Sequence, residues 1–182
     1  MVQCHPAFFI YGHQGFIFDE QSAERTMKTP TSAGLLMYRT KHGFLEVFIV
    51  HPGGPYFLHR DEGAWTIPKG LVEEGEEMLN TAIREFGEET GLKSQGEYIP
   101  LGYIQQKGGK IVHGWAFSGD WNGEPIKSNE FELEWPVNSG KYNSYPEVDR
   151  GDFFTPEAAK RKINPAQISF IERLEDYLKW NK

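Results

Sequence analysis

Cysteine is almost absent. Cys4 is the single one in 182 residues, so no intramolecular disulfide can form, and a reducing, cytoplasmic setting is the expectation. Long apolar runs are missing as well. No stretch approaches the length that crosses a bilayer, and the N-terminus lacks the basic start and small-residue cleavage site of a secretory signal, so no membrane partner is expected. Positive charge is scarce: 19 Lys and Arg against 26 Asp and Glu leave a formal charge of −7, and no basic run offers a nucleic acid a landing patch. Phosphate-bearing small molecules stay compatible, because a bound metal ion reverses the local field inside one cleft. There is no internal repeat and no low-complexity tract.

What is present fits one globular domain, with 38% apolar and 14% aromatic residues. The first residues, with AFFIYGHQGFIF, are apolar and aromatic, yet Met27-Lys28-Thr29-Pro30 reads as a second start. Residues 1–26 are therefore treated as an N-terminal appendage to a domain spanning 27–182. Cys4, His5 and His13 would give zinc three ligands and no fourth, so a structural zinc site is not expected.

Two apolar runs, Ala33 to Tyr38 and Leu45 to His51, flank Lys41-His42-Gly43 and predict a hairpin. A long surface loop, HPGGPYFLHRDEGAW, follows. From Glu76 to Thr90 the residues Leu79, Ala82, Ile83 and Phe86 recur at helical spacing and form one apolar face, with Gly91 as the C-cap. YIPLGYIQQ and KIVHGWAFSG read as strands around Gly108-Gly109, and FELEWPVNSGKYNSY as one further strand and a loop. Thr155 to Lys162 and Pro165 to Trp180 read as helices, the second with Ile168, Ile171, Leu174 and Leu178 facing the core. This order predicts an α/β fold, a mixed β-sheet sandwiched between α-helices.

The chemistry concentrates in GLVEEGEEMLNTAIREFGEETGL, Gly70 to Leu92. Glu85, Glu88 and Glu89 lie at i, i+3 and i+4, so a helix gathers their carboxylates on one side, off the apolar face. Like charges at that spacing repel unless a cation neutralises them, and a hard ion such as Mg²⁺ takes oxygen ligands while keeping positions for water or phosphate. A metal held there withdraws charge from phosphoryl oxygens and lowers the pKa of bound water. Arg84 is placed to orient a carboxylate or meet a phosphate. Gly70 and Gly75 bracket the turn entering the helix and permit tight backbone geometry there.

Gly70, Glu76, Arg84-Glu85, Phe86, Glu88-Glu89, Gly91 and Leu92 stand at the spacing of the Nudix box, and the chain resembles the Nudix hydrolases from about Thr31 to the last helix. The resemblance implies the Nudix fold and divalent-metal-dependent cleavage of a diphosphate linkage in a small nucleotide-like substrate, with Mg²⁺ as cofactor and Mn²⁺ as the alternative. It implies Glu85 and Glu89 as metal ligands, Glu88 as a direct or water-mediated one, and the Lys69 carbonyl as a further ligand. Arg84 would pair with a catalytic glutamate, and Glu76 would act electrostatically or through water.

The family's additional carboxylate before a late strand falls on Glu147, with Asp149, Glu132 and Glu134 as rivals. Lys69, Gly70 and Arg60 are the substrate-binding candidates, with His51 and His59 on the same loop. Tyr103, Trp115 and Phe153 are candidates for stacking a base, although strand aromatics commonly belong to cores. TIPKG resembles the dinucleoside polyphosphate branch, as with diadenosine tetraphosphate. A tyrosine that many of its members carry sixteen to eighteen residues past the box is replaced here by Gly108, Gly109 and Lys110. A nucleoside or dinucleoside polyphosphate is therefore the expected substrate. A non-catalytic nucleotide-binding module, a diphosphoinositol phosphate hydrolase and an RNA cap hydrolase stand as alternatives.

Overall fold

The computed structural model describes residues 30–181. In chain order its elements are β1 (Thr31–Lys41), β2 (Phe44–Pro52), β3 (Lys69–Leu71), α1 (Met78–Thr90), β4 (Ile99–Gln105), β5 (Ile111–Ser118), β6 (Glu130–Glu134), β7 (Tyr142–Pro146), β8 (Val148–Phe154), α2 (Pro156–Lys162) and α3 (Ile168–Trp180). A one-turn 3₁₀ segment, Pro165–Gln167, leads into α3.

β1 is buried from Ser32 to Met37 because both faces of the strand are covered, which is why SAGLLM is continuously non-charged rather than alternating. β2 returns antiparallel through His42 and Gly43, whose positive φ values of 53° and 84° suit the twist of a tight hairpin. On its other side β1 runs parallel to β5, and β5 pairs antiparallel with β4. β8 closes the far edge on β2, and β3 pairs with Ser32–Gly34 beside the start of β2's partner segment. The outcome is a mixed six-stranded sheet in the order β4-β5-β1-β2-β8, with β3 attached to β1.

Side chains that alternate along β1 and β2 divide between two cores. Ala33, Leu35, Met37, Phe48 and Val50 pack with Ala82 and Phe86 of α1. Leu36, Val47 and Ile49 pack with Ala159 of α2 and Phe170, Ile171 and Leu174 of α3. Burying one such large side chain contributes about 1.5–3 kcal/mol, so the two packed faces outweigh local propensity in holding the helices. The expected sandwich of helices around a mixed sheet is what forms.

Several expectations are corrected. α1 begins at Met78, not Glu76, because Glu76 belongs to a turn closed on Glu73 and its side chain reaches back to Arg84. FELEWPVNSGKYNSY is a two-stranded hairpin, β6 with β7, rather than a strand and a loop. His51 lies within β2, as the run Leu45 to His51 predicts, and it is fully buried there rather than facing the cleft from the loop with His59. Phe170, outside the expected stripe of α3, is buried because Gly114 of β5 leaves room: a Cβ there would meet its ring at 2.7 Å. The appendage at residues 1–26 and the candidate ligands Cys4, His5 and His13 lie outside the described residues.

Candidate active site

Gly91 ends α1 in the left-handed conformation, φ 72°, and donates its N–H to the Gly87 carbonyl. The apolar face of the helix is pinned to the sheet by Ala82 and Phe86, so the opposite rows carry Arg84, Glu85, Glu88 and Glu89 over β3. Arg84 organises this row. Its Nε and Nη2 grip Glu76 at 3.0 and 2.9 Å, and its Nη1 donates to Glu85 at 2.7 Å and Glu88 at 3.0 Å. The Arg84 guanidinium in turn holds the Glu76 carboxyl down at about 2.

Glu85 and Glu89 are held differently. The Glu85 side chain is 13% exposed and its carboxylate lies against the backbone of Gly70. A Cβ on Gly70 would occupy the space of that carboxylate. This close approach is the reason for glycine here, since Gly70 is not among the residues of positive φ. Glu89 accepts the Lys69 N–H at 2.9 Å, so the part of the Lys69 backbone that faces it is the amide proton. Burial pushes Glu85 above the ordinary carboxylate range, against the pull of Arg84 and with the push of Glu88 and Glu147. Burial pushes Glu89 up to about 7; Lys69 opposes this, and Glu85 and Glu147 add to it.

Glu147 joins the cluster from the other end of the chain. It lies between β7 and β8, and its charge acts on both Glu85 and Glu89. Backbone bonds hold it there: the Glu88 carbonyl accepts the Asn129 N–H, the Asn129 carbonyl accepts the Glu147 N–H, and the Glu147 carbonyl accepts the Gly53 N–H. Its rivals are bound or exposed away from this cluster. Asp149 is bound by His51 at 2.7 Å, Glu134 accepts the N–H of Gly140 in its own turn, and Glu132 is exposed on the outer face of β6.

Beside the carboxylates lies a polar cleft of about 360 Å³, lined by Arg60, Thr66, Lys69, Gln106 and Gln167 among others. Arg60 is placed by its carbonyl, which accepts from His51 Nε2 at 2.7 Å, while His59 is exposed on the same loop. The two ring nitrogens of the buried His51 face the Asp149 carboxylate and the Arg60 carbonyl, which ties β8 to the loop after β2. A larger cleft of about 410 Å³ lies at the other end of β1, between Phe44 and Leu178, and none of the box carboxylates lines it.

Lys110 was missed by the reading of motifs. It enters β5 half-buried, and its amine is lowered by burial and by the Lys69 charge, with Glu89 and Glu85 opposing. Its nearness to Lys69 and both glutamates is a product of the β1–β5 pairing, for which no local signal exists. Of the aromatic candidates, Phe153 is packed against Phe48 beneath the Arg39 guanidinium and belongs to the core. Tyr103 is 61% exposed and begins a ladder through His113 to Trp115 across β4 and β5.

Hard oxygen donors, desolvated and repelling one another, have the chemistry that a divalent cation neutralises. Among the described residues no three such side chains already converge in ligation geometry, because Arg84 and the Lys69 N–H occupy carboxylate oxygens. The donor set fits by type and charge. A consequence can be measured without activity. Since Glu89 rises from about 4.5 to about 7 on folding, its contribution to stability is present below pH 4.5 and lost as pH rises through 7. Glu76, held near 2, acts in a lower, separate window and in the opposite sense. Calorimetry of cation-free protein is expected to show Tm falling by several degrees between pH 5 and 7.5 from this group, with the slope reduced in Glu89→Gln and Tm restored by a divalent salt. An unchanged slope in Glu89→Gln would remove Glu89 from this role.

Fold and site together define an α/β domain that gathers carboxylates on one helix beside a polar, cationic cleft. A family model described as the NUDIX domain matches residues 28–174, and the chain belongs to the Nudix family. Over 75 residues it is 39% identical to the asymmetrical bis(5'-nucleosyl)-tetraphosphatase of Mus musculus, covering 37% of this chain and 51% of that protein. Over 33 residues it is 54% identical to Nudix hydrolase 10 of Arabidopsis thaliana, covering 18% and 12%. The chain thus spans about half or less of the length of these curated relatives. Among solved structures, the Ap4A hydrolase of C. elegans in a binary complex superposes with a TM-score of 0.59 at 22% identity, covering 84% of this chain and 99% of that one. The NUDIX domain of Shewanella oneidensis NrtR, complexed with ADP ribose, gives 0.57 at 12% identity, covering 89% and 94%. These likenesses in structure show the fold.

Among the described residues no helix is long and apolar enough to cross a membrane.

Proposed function

We propose that this protein is a pyrophosphohydrolase that uses a divalent cation, Mg²⁺ first and Mn²⁺ as alternative, to cleave a diphosphate linkage in a nucleoside or dinucleoside polyphosphate. The observation that carries the reading is that Glu147, tied through Asn129 to Glu88, acts by its charge on the desolvated Glu85 and Glu89 beside Lys69 and Lys110. In this reading Glu85, Glu89, Glu88 and the Lys69 carbonyl hold the cation. When bound, the cation supplies charge withdrawal at phosphoryl oxygens and a more acidic water. Arg84 keeps the glutamate row aligned, and Glu76 anchors Arg84. Arg60 and Lys69 bind the phosphate chain from the cleft side, with the Lys110 amine beside Lys69.

Glu147 is the residue that takes the proton from the attacking water. No side chain among the described residues bonds to its carboxylate, which leaves its oxygens available for that exchange. The matched tetraphosphatase of Mus musculus supports the dinucleoside polyphosphate as substrate class.

The test is incubation with Mg²⁺ or Mn²⁺ and a panel of diadenosine polyphosphates, nucleoside triphosphates, nucleotide sugars and a diphosphoinositol phosphate, with products resolved by chromatography. Selective cleavage of a dinucleoside polyphosphate, abolished by chelator, is expected. Stable binding of a nucleotide in Mg²⁺ with no turnover of any compound would instead identify a binding module.

A further inference from the structure

The β6–β7 hairpin takes no part in the chemistry above, yet it is rooted in the same residues. Its base is tied to Glu88 and Glu147 through Asn129, and Glu147 is tied to Gly53 of the loop after β2. The hairpin has two unlike faces. Glu130, Glu132 and Glu134 alternate onto one, while Phe131, paired with Tyr145, and Leu133 lie on the other. That apolar face is laid on the loop: a Cβ at Gly54 would meet Phe131 at 3.2 Å and Tyr145 at 3.9 Å, and Trp135 meets Tyr56 edge to face at 5.1 Å and 76°. The loop and the hairpin therefore form one wall. It starts at the carboxylates and carries Arg60 on the same loop.

Tyr56 at the outer end of this wall is 52% exposed, and in an edge-to-face pair one ring keeps both faces uncovered by its partner. Trp135 stands five positions beyond Glu130, at the root beside Asn129, and continues the ladder by donating its N–H to the Lys141 carbonyl. At about 3.3 Å per residue this places the aromatic pair roughly 17 Å out from the root. A nucleoside attached directly to the cleaved diphosphate stays nearer; one at the far end of an extended polyphosphate comes out to this distance.

We propose that Tyr56 and Trp135 form an outer subsite that stacks the base of the second nucleoside of a dinucleoside polyphosphate, which makes them specificity-determining residues. The inference rests on the proposed reaction and adds the element that distinguishes two-nucleoside from one-nucleoside substrates. The acidic outer face of the hairpin is unsuited to a polyanionic nucleic acid, which agrees with a single mobile base as the occupant.

The experiment compares diadenosine tetraphosphate with adenosine tetraphosphate, which has the same phosphate chain and lacks the second nucleoside. Trp135→Ala and Tyr56→Ala are expected to raise KM about tenfold for the first, in line with the loss of one base–aromatic stack. KM for adenosine tetraphosphate and kcat for both should stay unchanged, and Trp135→Phe should recover most of the loss. Equal shifts with both compounds, or no shift with either, would overturn the subsite. A parent protein that cleaves neither compound would refute the proposed reaction instead. Fluorescence titration without divalent cation then decides the subsite alone: tighter binding of diadenosine tetraphosphate, lost in Trp135→Ala, upholds it, and equal binding of the two compounds overturns it.

Discussion

Glu85→Gln and Glu89→Gln should each lower kcat by about three orders of magnitude, equivalent to roughly 4 kcal/mol of transition-state stabilisation. Each amide preserves the size of the side chain and, in Glu89, an oxygen that can still accept the Lys69 N–H. What disappears is charge at the two most desolvated carboxylates of the cluster. The same loss should stabilise the cation-free protein near neutral pH, because a buried, repelled charge has been removed. A fall in kcat accompanied by a rise in Tm separates a functional role from a folding defect. Wild-type turnover in both variants would end the assignment of this helix as the catalytic element.

Gly70→Ala is the second large effect. Among the described residues the backbone at Gly70 has no positive φ, so an alanine there meets no conformational strain. Its Cβ would instead coincide with the Glu85 carboxylate. Glu85 must retreat, taking its bond with Arg84 with it, or β3 must leave its pairing with Ser32–Gly34. A displacement of about 1 Å at a reacting centre can cost roughly a hundredfold in rate, and a loss of that order in kcat is the expected result. Because both changes act on one carboxylate, Gly70→Ala combined with Glu85→Gln should be little worse than Glu85→Gln alone. Full additivity in the logarithm of kcat would show that Gly70 acts through something other than Glu85.

The readings that held were local ones. The face of α1, the Gly91 cap and the His42-Gly43 turn depend on residues within one or two turns of each other, so periodicity and turn chemistry expose them directly. The readings that failed required a partner far along the chain. β7, YNSYP, is polar and ends in proline, and only pairing with β6 makes it a strand. The late strand expected beyond Glu147 does form, as β8, although it contains Gly151 and charged residues, because β2 offers it an edge; a Cβ at Gly151 would strike the Phe48 ring at 2.5 Å. The start of α1 was misplaced for a related reason, since Glu76 is drawn out of the helix by Arg84, eight residues on.

By itself the sequence determined the family, the acidic row of α1 and the glycine beneath it, because those features are written in spacing along one helix and one short strand. Tertiary structure alone decided the rest. It brought Glu147 to Glu85 and Glu89, set Lys110 beside Lys69, and joined His51 to Asp149 across 98 positions of chain. It also turned an apparent loop into a hairpin whose aromatic face meets Tyr56. The physical reason is range: helix periodicity and turn chemistry act between near neighbours, whereas sheet register and burial set which distant residues share a dry surface, and desolvation there sets their charge.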